Sequence, residues 1–205
     1  TNAGAGQLFH SPVQGSGIEE RAVSLIEGED TFHGTPDDLF FGHARLAPVG
    51  AAGPEVITLA RKNARMRITV RGLDRRIPED RYYLTVEIPN DGYDFVGNPI
   101  AGTARVRRTG AFHDNGDFST DEAFNLIHTD PAVSPAGGVT VNLYEKALGR
   151  SADRLIASVT DDDGRPISLP TGRTVNLLID LNEGGGLSVY TEITPWDEIY
   201  QWDIW

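Results

Sequence analysis

The sequence lacks cysteine altogether. That excludes disulfides, thiolate metal sites and cysteine nucleophiles. It does not exclude export, and any lipid-bearing cysteine would have to lie outside this sequence. Lysine is nearly missing too, since Lys62 and Lys146 are its only examples, so the positive charge rests on arginine. No run of about 18 apolar residues occurs, so no segment is expected to cross a membrane as a helix. The opening TNAGAG has neither the charged nor the apolar part of a signal peptide. The expectation is a removed leader or a sequence that starts late.

Positive charge is outnumbered. The net charge is −12 and the pI about 4.7, a surface that repels phosphate backbones and argues against a nucleic-acid partner. The arginines crowd one stretch: Arg61, Arg65, Arg67, Arg71, Arg75, Arg76 and Arg81, with Lys62 among them. Beyond Gly110 the balance is acidic. The plain reading is two solvated faces. The sharper one is a basic patch that meets an acidic neighbouring subunit.

What the sequence has in plenty is Gly (23) and Pro (12), as a chain of many short strands and tight turns would. Its apolar residues alternate with period two. Ala64, Met66, Ile68 and Val70 fall on one strand face, with arginine or threonine on the other. Leu84, Val86 and Ile88 repeat this, as do Val139, Val141 and Leu143, then Val175, Leu177, Ile179 and Leu181. Leu187, Val189 and Ile193 follow, with Thr191 on their face. Strands buried on one face alternate in this way. Asn115-Gly116, Asp163-Gly164 and Gly184-Gly185-Gly186 are read as hairpin turns, the first as type I′. Short helices are expected at residues 18–26 and 151–154. The stretch GYDFVGNPIAGT, residues 92–103, reads as a linker. The fold class expected is all-β, two β-sandwiches of the immunoglobulin-like kind. Residues 1–100 would form the first, short of its amino-terminal strands, and residues 101–205 the second, near the size of a seven-strand sandwich.

No catalytic constellation is legible. The histidines, His10, His33, His43, His113 and His128, include no i, i+4 pair. Asp161-Asp162-Asp163-Gly164 fails as a calcium loop, because the aligned first and twelfth positions would be Val159 and Pro170. The adjacent Asp197 and Glu198 would face opposite ways on a strand, unlike a glycosidase pair. No cofactor, no metal and no enzymatic activity are expected.

The carboxyl terminus, ITPWDEIYQWDIW, is more informative. It holds all three tryptophans. After Pro195, residues 199–205 can form a strand with Tyr200, Trp202 and Ile204 on one face and Ile199 and Trp205 on the other. Large apolar groups on both faces suit two alternatives: a last strand pairing at home, or one that docks a partner by β-augmentation. The candidate partner-binding residues are Trp196, Ile199, Tyr200, Trp202, Ile204 and Trp205.

Four stretches carry a family resemblance: TPDDLFFG at residues 35–42, VTVNLYEKALGR at 139–150, GRTVNLLIDLNEGGGLSV at 172–189 and ITPWDEIYQWDIW at 193–205. Together they resemble the fimbrillin-associated anchor proteins, the FimB-like subunits of type V pili in Bacteroides-type bacteria. The resemblance implies transthyretin-like sandwiches, an exported lipoprotein precursor, an outer-membrane location at the fimbrial base, and other fimbrial subunits as partners engaged by strand addition. The rival expectation is a carbohydrate- or host-binding adhesin module, for which exposed Trp and Tyr would stack on sugar rings.

Overall fold

The computed structural model describes residues 6–10, 13–17, 22–43, 56–129, 137–149, 151–182 and 184–202. The alternating segments form the strands expected of them. β5 (Asn63–Arg71) turns Ala64, Met66, Ile68 and Val70 into the interior. β6 (Tyr82–Asp94) does the same with Leu84, Val86 and Ile88. β11 (Thr140–Glu145), β15 (Arg173–Leu181) and β16 (Leu187–Pro195) match the other three patterns.

Two six-stranded sheets result. In the first, β6 carries β7 (Pro99–Arg108) along one edge. Along its other edge lie β11 and, beyond it, β12 (Arg154–Val159). The far end of that same edge takes β2 (Ala22–Leu25) and then β1 (Gln7–Phe9). In the second sheet β5 is central. It pairs in parallel with β15, which pairs with the edge strand β16. Its other side takes β9 (Phe118–Ser119) with β8 (Ala111–Phe112), and β10 (Phe124–Ile127). The inward residues of both sheets merge into one apolar cluster, from Met66 and Leu177 on one side to Leu84, Val106 and Leu143 on the other. Facing sheets with a shared core form a sandwich.

Several expectations are corrected. The all-β class holds, and among the described residues there is no α-helix. The stretch 92–103 is no linker. It forms the end of β6 and the start of β7, paired from Gly92↔Ile100 and Tyr93↔Pro99 onward. Its glycines and proline have local reasons. Gly92 lies so close to β2 that a Cβ would meet the Val23 carbonyl oxygen at 2.5 Å. Gly97 makes the hairpin turn at φ 88°, a left-handed conformation open to glycine. Pro99 opens an edge strand, where a missing N–H costs no ladder bond. Since β5 pairs with β15, and β6 with β11, both sheets draw on both sides of Ile100. A division into 1–100 and 101–205 therefore does not describe them. Of the two expected helices, the described part of the first is β2, and the second leads into β12.

The hairpin at Asn115-Gly116 forms, with Phe112 opposite Phe118. Of that pair only Gly116 has positive φ, so the turn is not type I′. Asp163-Gly164 does show positive φ at both residues, joining β13 (Asp161–Asp162) to β14 (Arg165–Pro166).

Candidate partner-binding surface

β15 is buried on both faces. Val175, Leu177 and Ile179 face the core, yet the outward Thr174, Asn176 and Leu178 are buried as well. The carboxyl-terminal tail covers that outer side. After Pro195 the chain turns at Trp196–Asp197, and the Glu198 N–H donates to the Pro195 carbonyl at 3.1 Å. The tail then runs back across the sheet. Thr174 Oγ1 donates to the Trp196 carbonyl at 2.8 Å and Thr194 Oγ1 to that of Glu198 at 2.6 Å. Asn176 Oδ1 accepts the Tyr200 N–H at 3.1 Å, while its Nδ2 donates to Thr194 Oγ1. Short polar side chains on the outer face thus bond the tail's backbone where a strand's neighbours otherwise would. Residues 199–202 belong to no strand, contrary to expectation.

Trp196 is half-buried in a cradle of arginines. The Arg61 guanidinium stands 4.1 Å from its ring centroid and that of Arg65 5.3 Å. Arg65 also donates to the Trp196 carbonyl at 3.2 Å. Arg61 is held by a two-pronged bond to Asp38, at 2.7 and 2.8 Å, and its guanidinium also stands 4.9 Å from the Phe40 ring centroid. The Asp38 hydrogen bond raises the Arg61 pKa. Burial opposes this, and the charges of Asp38 and Asp197 add to it. A guanidinium fits this place because it can stack on rings and grip a carboxylate at once.

Trp202 is half-buried too. It meets Tyr200 edge to face at 4.9 Å and the outward Tyr190 of β16 at 6.4 Å. Tyr200, Gln201 and Trp202 overhang a cleft of about 440 Å³ whose floor includes Arg67, Thr69 and Ser119. Ile199 is 44% exposed and Tyr200 40%. The structure therefore brings Tyr200 and Trp202 together and sets Trp196 apart, beside Arg61. Ile204 and Trp205 lie outside the described residues.

The arginine stretch serves largely within the molecule. Arg61 pairs with Asp38, Arg71 with Asp117, Arg76 with Asp74 and Arg81 with Glu145. Asp162, set aside above as part of a failed calcium loop, has a partner that sequence reading missed. Its Oδ2 accepts both the backbone N–H of Thr191, at 3.0 Å, and the Thr191 hydroxyl, at 2.5 Å. No local signal announces a contact between a turn and a strand this far along the chain.

Residues 7–202 match the model of the fimbrillin-A associated anchor proteins Mfa1 and Mfa2. The chain belongs to this family. Among curated proteins it is 27% identical over 190 residues to the major fimbrium anchoring subunit FimB of Porphyromonas gingivalis, a match spanning 86% of this chain and 57% of FimB. Among solved structures, the fimbrial anchor protein Mfa2 of the same organism superposes with a TM-score of 0.60 at 12% identity, over 95% of this chain and 72% of that one. That second likeness speaks for the fold alone. The chain thus spans a little over half the length of the curated relative it matches.

Proposed function

We propose that this member of the Mfa2 family is a structural, non-enzymatic subunit of a cell-surface fimbria that anchors the fibre at its base and engages neighbouring subunits by β-strand addition. The family and the likeness to an anchoring subunit support the fimbrial role. The observation that carries strand addition is that β16, a nine-residue strand, pairs among the described residues on one side only, with β15. An open strand edge of that length offers backbone donors and acceptors to another chain. The tail contributes a second surface, since Ile199 and Tyr200 stay exposed while Trp196 and Trp202 fasten it to the sheet.

The test is deletion of the gene in its own bacterium, with fimbriae counted on cells and in the medium. An anchor predicts fimbriae shed into the medium and restored to the cell by the intact gene. Fimbriae that stay attached but lose binding to a glycan array would favour the adhesin reading instead.

A further inference from the structure

β16 has a definite outward parity. In an antiparallel ladder, alternate residues turn their backbone groups toward the partner and away from it. The N–H of Asn182 bonds the carbonyl of Gly186, which places the even-numbered residues of this hairpin in the ladder. The Thr191 N–H goes instead to Asp162, which places the odd-numbered residues outward. Leu187, Val189, Thr191 and Ile193 therefore present their backbone at the free edge. Their side chains share the core-facing side with Leu181, Ile179, Leu177 and Val175 opposite. Yet Leu187 remains 45% exposed and Ile193 48%, so the sandwich is open along this seam.

The first sheet ends on the same side. Among the described residues its edge strand β12 pairs with β11 alone. Two clefts follow the seam. One, of about 250 Å³, lies between Val159 and Thr160 on one side and Leu187 and Val189 on the other. The second, of about 470 Å³, lies between Pro166 and Ile167 on one side and Thr191 and Ile193 on the other. Between them stands the Asp162–Thr191 contact.

We infer that this seam is the strand-accepting site, and that Asp162 is its latch. The inference rests on the strand-addition reading above and locates it. The Asp162 carboxylate occupies the position where the carbonyl of an added strand would accept the Thr191 N–H. An entering strand displaces that carboxylate with a carbonyl of its own, and pairs with Leu187, Val189 and Ile193 on either side. The occupant is an extended segment of another fimbrial subunit. Alternate side chains of that segment are apolar, to cover Leu187 and Ile193. One Lys or Arg follows the released Asp162, since Asp161, Asp163 and Glu192 also line the two clefts, against one arginine, Arg165. The latch also explains how a long bare edge avoids pairing with copies of itself.

The experiment uses the full chain and a capped octapeptide of alternating valine with threonine or arginine (VTVRVTVT), read by amide hydrogen exchange. Without peptide, Thr191 exchanges at least tenfold more slowly than Val189 and Ile193, and Asp162→Ala removes that difference. With peptide, Leu187, Val189 and Ile193 gain at least tenfold protection, and Asp162→Ala binds at least threefold more tightly. Val189→Pro, which removes an outward N–H and no ladder bond, abolishes binding while the fold is retained. Protection at a different edge, or equal binding by Val189→Pro, overturns the β16 assignment but leaves strand addition standing. No protection at any edge overturns both. Peptide binding lost in Val189→Pro, with normal incorporation of that variant into fimbriae, would instead remove the fimbrial role of the seam.

Discussion

The guanidinium of Arg61 stands over the rings of both Trp196 and Phe40, 4.1 Å from the first centroid and 4.9 Å from the second, while both its prongs hold Asp38. This contact ties the end of the chain to a two-stranded ribbon, Phe40–Phe41 with Ala60–Arg61, far from it in sequence. A half-exposed cation–π contact contributes about 0.5–1 kcal/mol, more where water is excluded. A double-mutant cycle of Arg61→Met and Trp196→Leu in urea unfolding is expected to give a coupling energy in that range. Additive single-mutant effects would show that the tail is held by other contacts.

Gly72 permits a turn that no other residue fits. Its φ is +86°, and a Cβ there would meet the Leu181 carbonyl oxygen at 2.3 Å. Gly149 has the same φ but nothing within 4 Å. Both substitutions to alanine impose a left-handed conformation costing about 1 kcal/mol, and the first adds a backbone collision. Gly72→Ala is expected to lower stability by at least about 2 kcal/mol more than Gly149→Ala. Equal midpoints in denaturant would contradict the close approach of residue 72 to β15.

The sandwich is tied at one end by Tyr93, whose buried hydroxyl bonds the Lys62 carbonyl at 2.8 Å, the His128 Nδ1 at 2.9 Å and the His128 N–H at 3.2 Å. The ring also stacks on His128. Tyr93→Phe keeps the stacking and strips the hydroxyl, leaving buried polar groups short of a partner. A loss of about 1–3 kcal/mol is expected. A loss below about 0.5 kcal/mol would mean that the groups re-pair locally.

Two titrations bracket the stable pH range. Asp153 accepts the Ala147 N–H and the Tyr83 hydroxyl, and these bonds, in that order, hold its pKa below the usual value. Asp74 is pulled down to about 2, first by the Arg76 side chain and then by the Arg76 backbone N–H. A carboxylate depressed in the folded state stabilises above its unfolded pKa of about 4, and that stability fades as pH falls through the folded value. Tyr83 moves the other way, to about 12, chiefly by burial and then by the Asp153 bond. Its contribution is intact below the unfolded pKa of about 10 and is lost as pH rises toward the folded value. Stability is therefore expected to fall below pH about 4 and above pH about 10. Asp153→Asn should flatten the acid limb. Tyrosinate absorbance in Tyr83→Phe should lack one late-titrating group, and an unchanged alkaline titration would contradict the burial of Tyr83.

How much of this was legible depended on whether the cause was local. Ala64-Arg65-Met66-Arg67 alternates because one strand face is buried, and the residues themselves say so. The parallel pairing of β5 with β15 is set by which apolar faces complete the core, and no short stretch encodes it. Gly92, Gly97 and Pro99 punctuate the sequence as a linker would, but close approach to β2, a hairpin turn and an edge position impose the same residues. The tail was misread for a related reason. Its aromatics fall on two sides because it lies across a sheet, with Trp196 among arginines and Trp202 between two tyrosines. Alternation cannot tell that arrangement from a two-faced strand. The Asp162–Thr191 contact had no sequence signal at all.

The tail supplies the last test, by truncation after Pro195. Fully burying a tryptophan is worth about 4–6 kcal/mol as an upper bound. Trp196 and Trp202 are each largely but not fully buried, so together they return more than one fully buried ring and less than two. Ordering the tail backbone costs about 1–2 kcal/mol per residue, which the rings, the arginine contacts and the bonds to Thr174, Thr194 and Asn176 outweigh by a small margin. Removing it exposes those three side chains to water, which can satisfy them. The expected outcome is a domain that still unfolds cooperatively, with its denaturant midpoint lowered by the equivalent of about 1–3 kcal/mol. Incorporation into fimbriae is expected to drop, because the exposed Ile199 and Tyr200 leave with the tail. A truncated chain that assembles normally would remove the tail from the subunit contact and leave the β16 seam to carry it alone. One that fails to fold would make the tail an integral layer over β15, with the burial of Thr174, Asn176 and Leu178 as its main purpose.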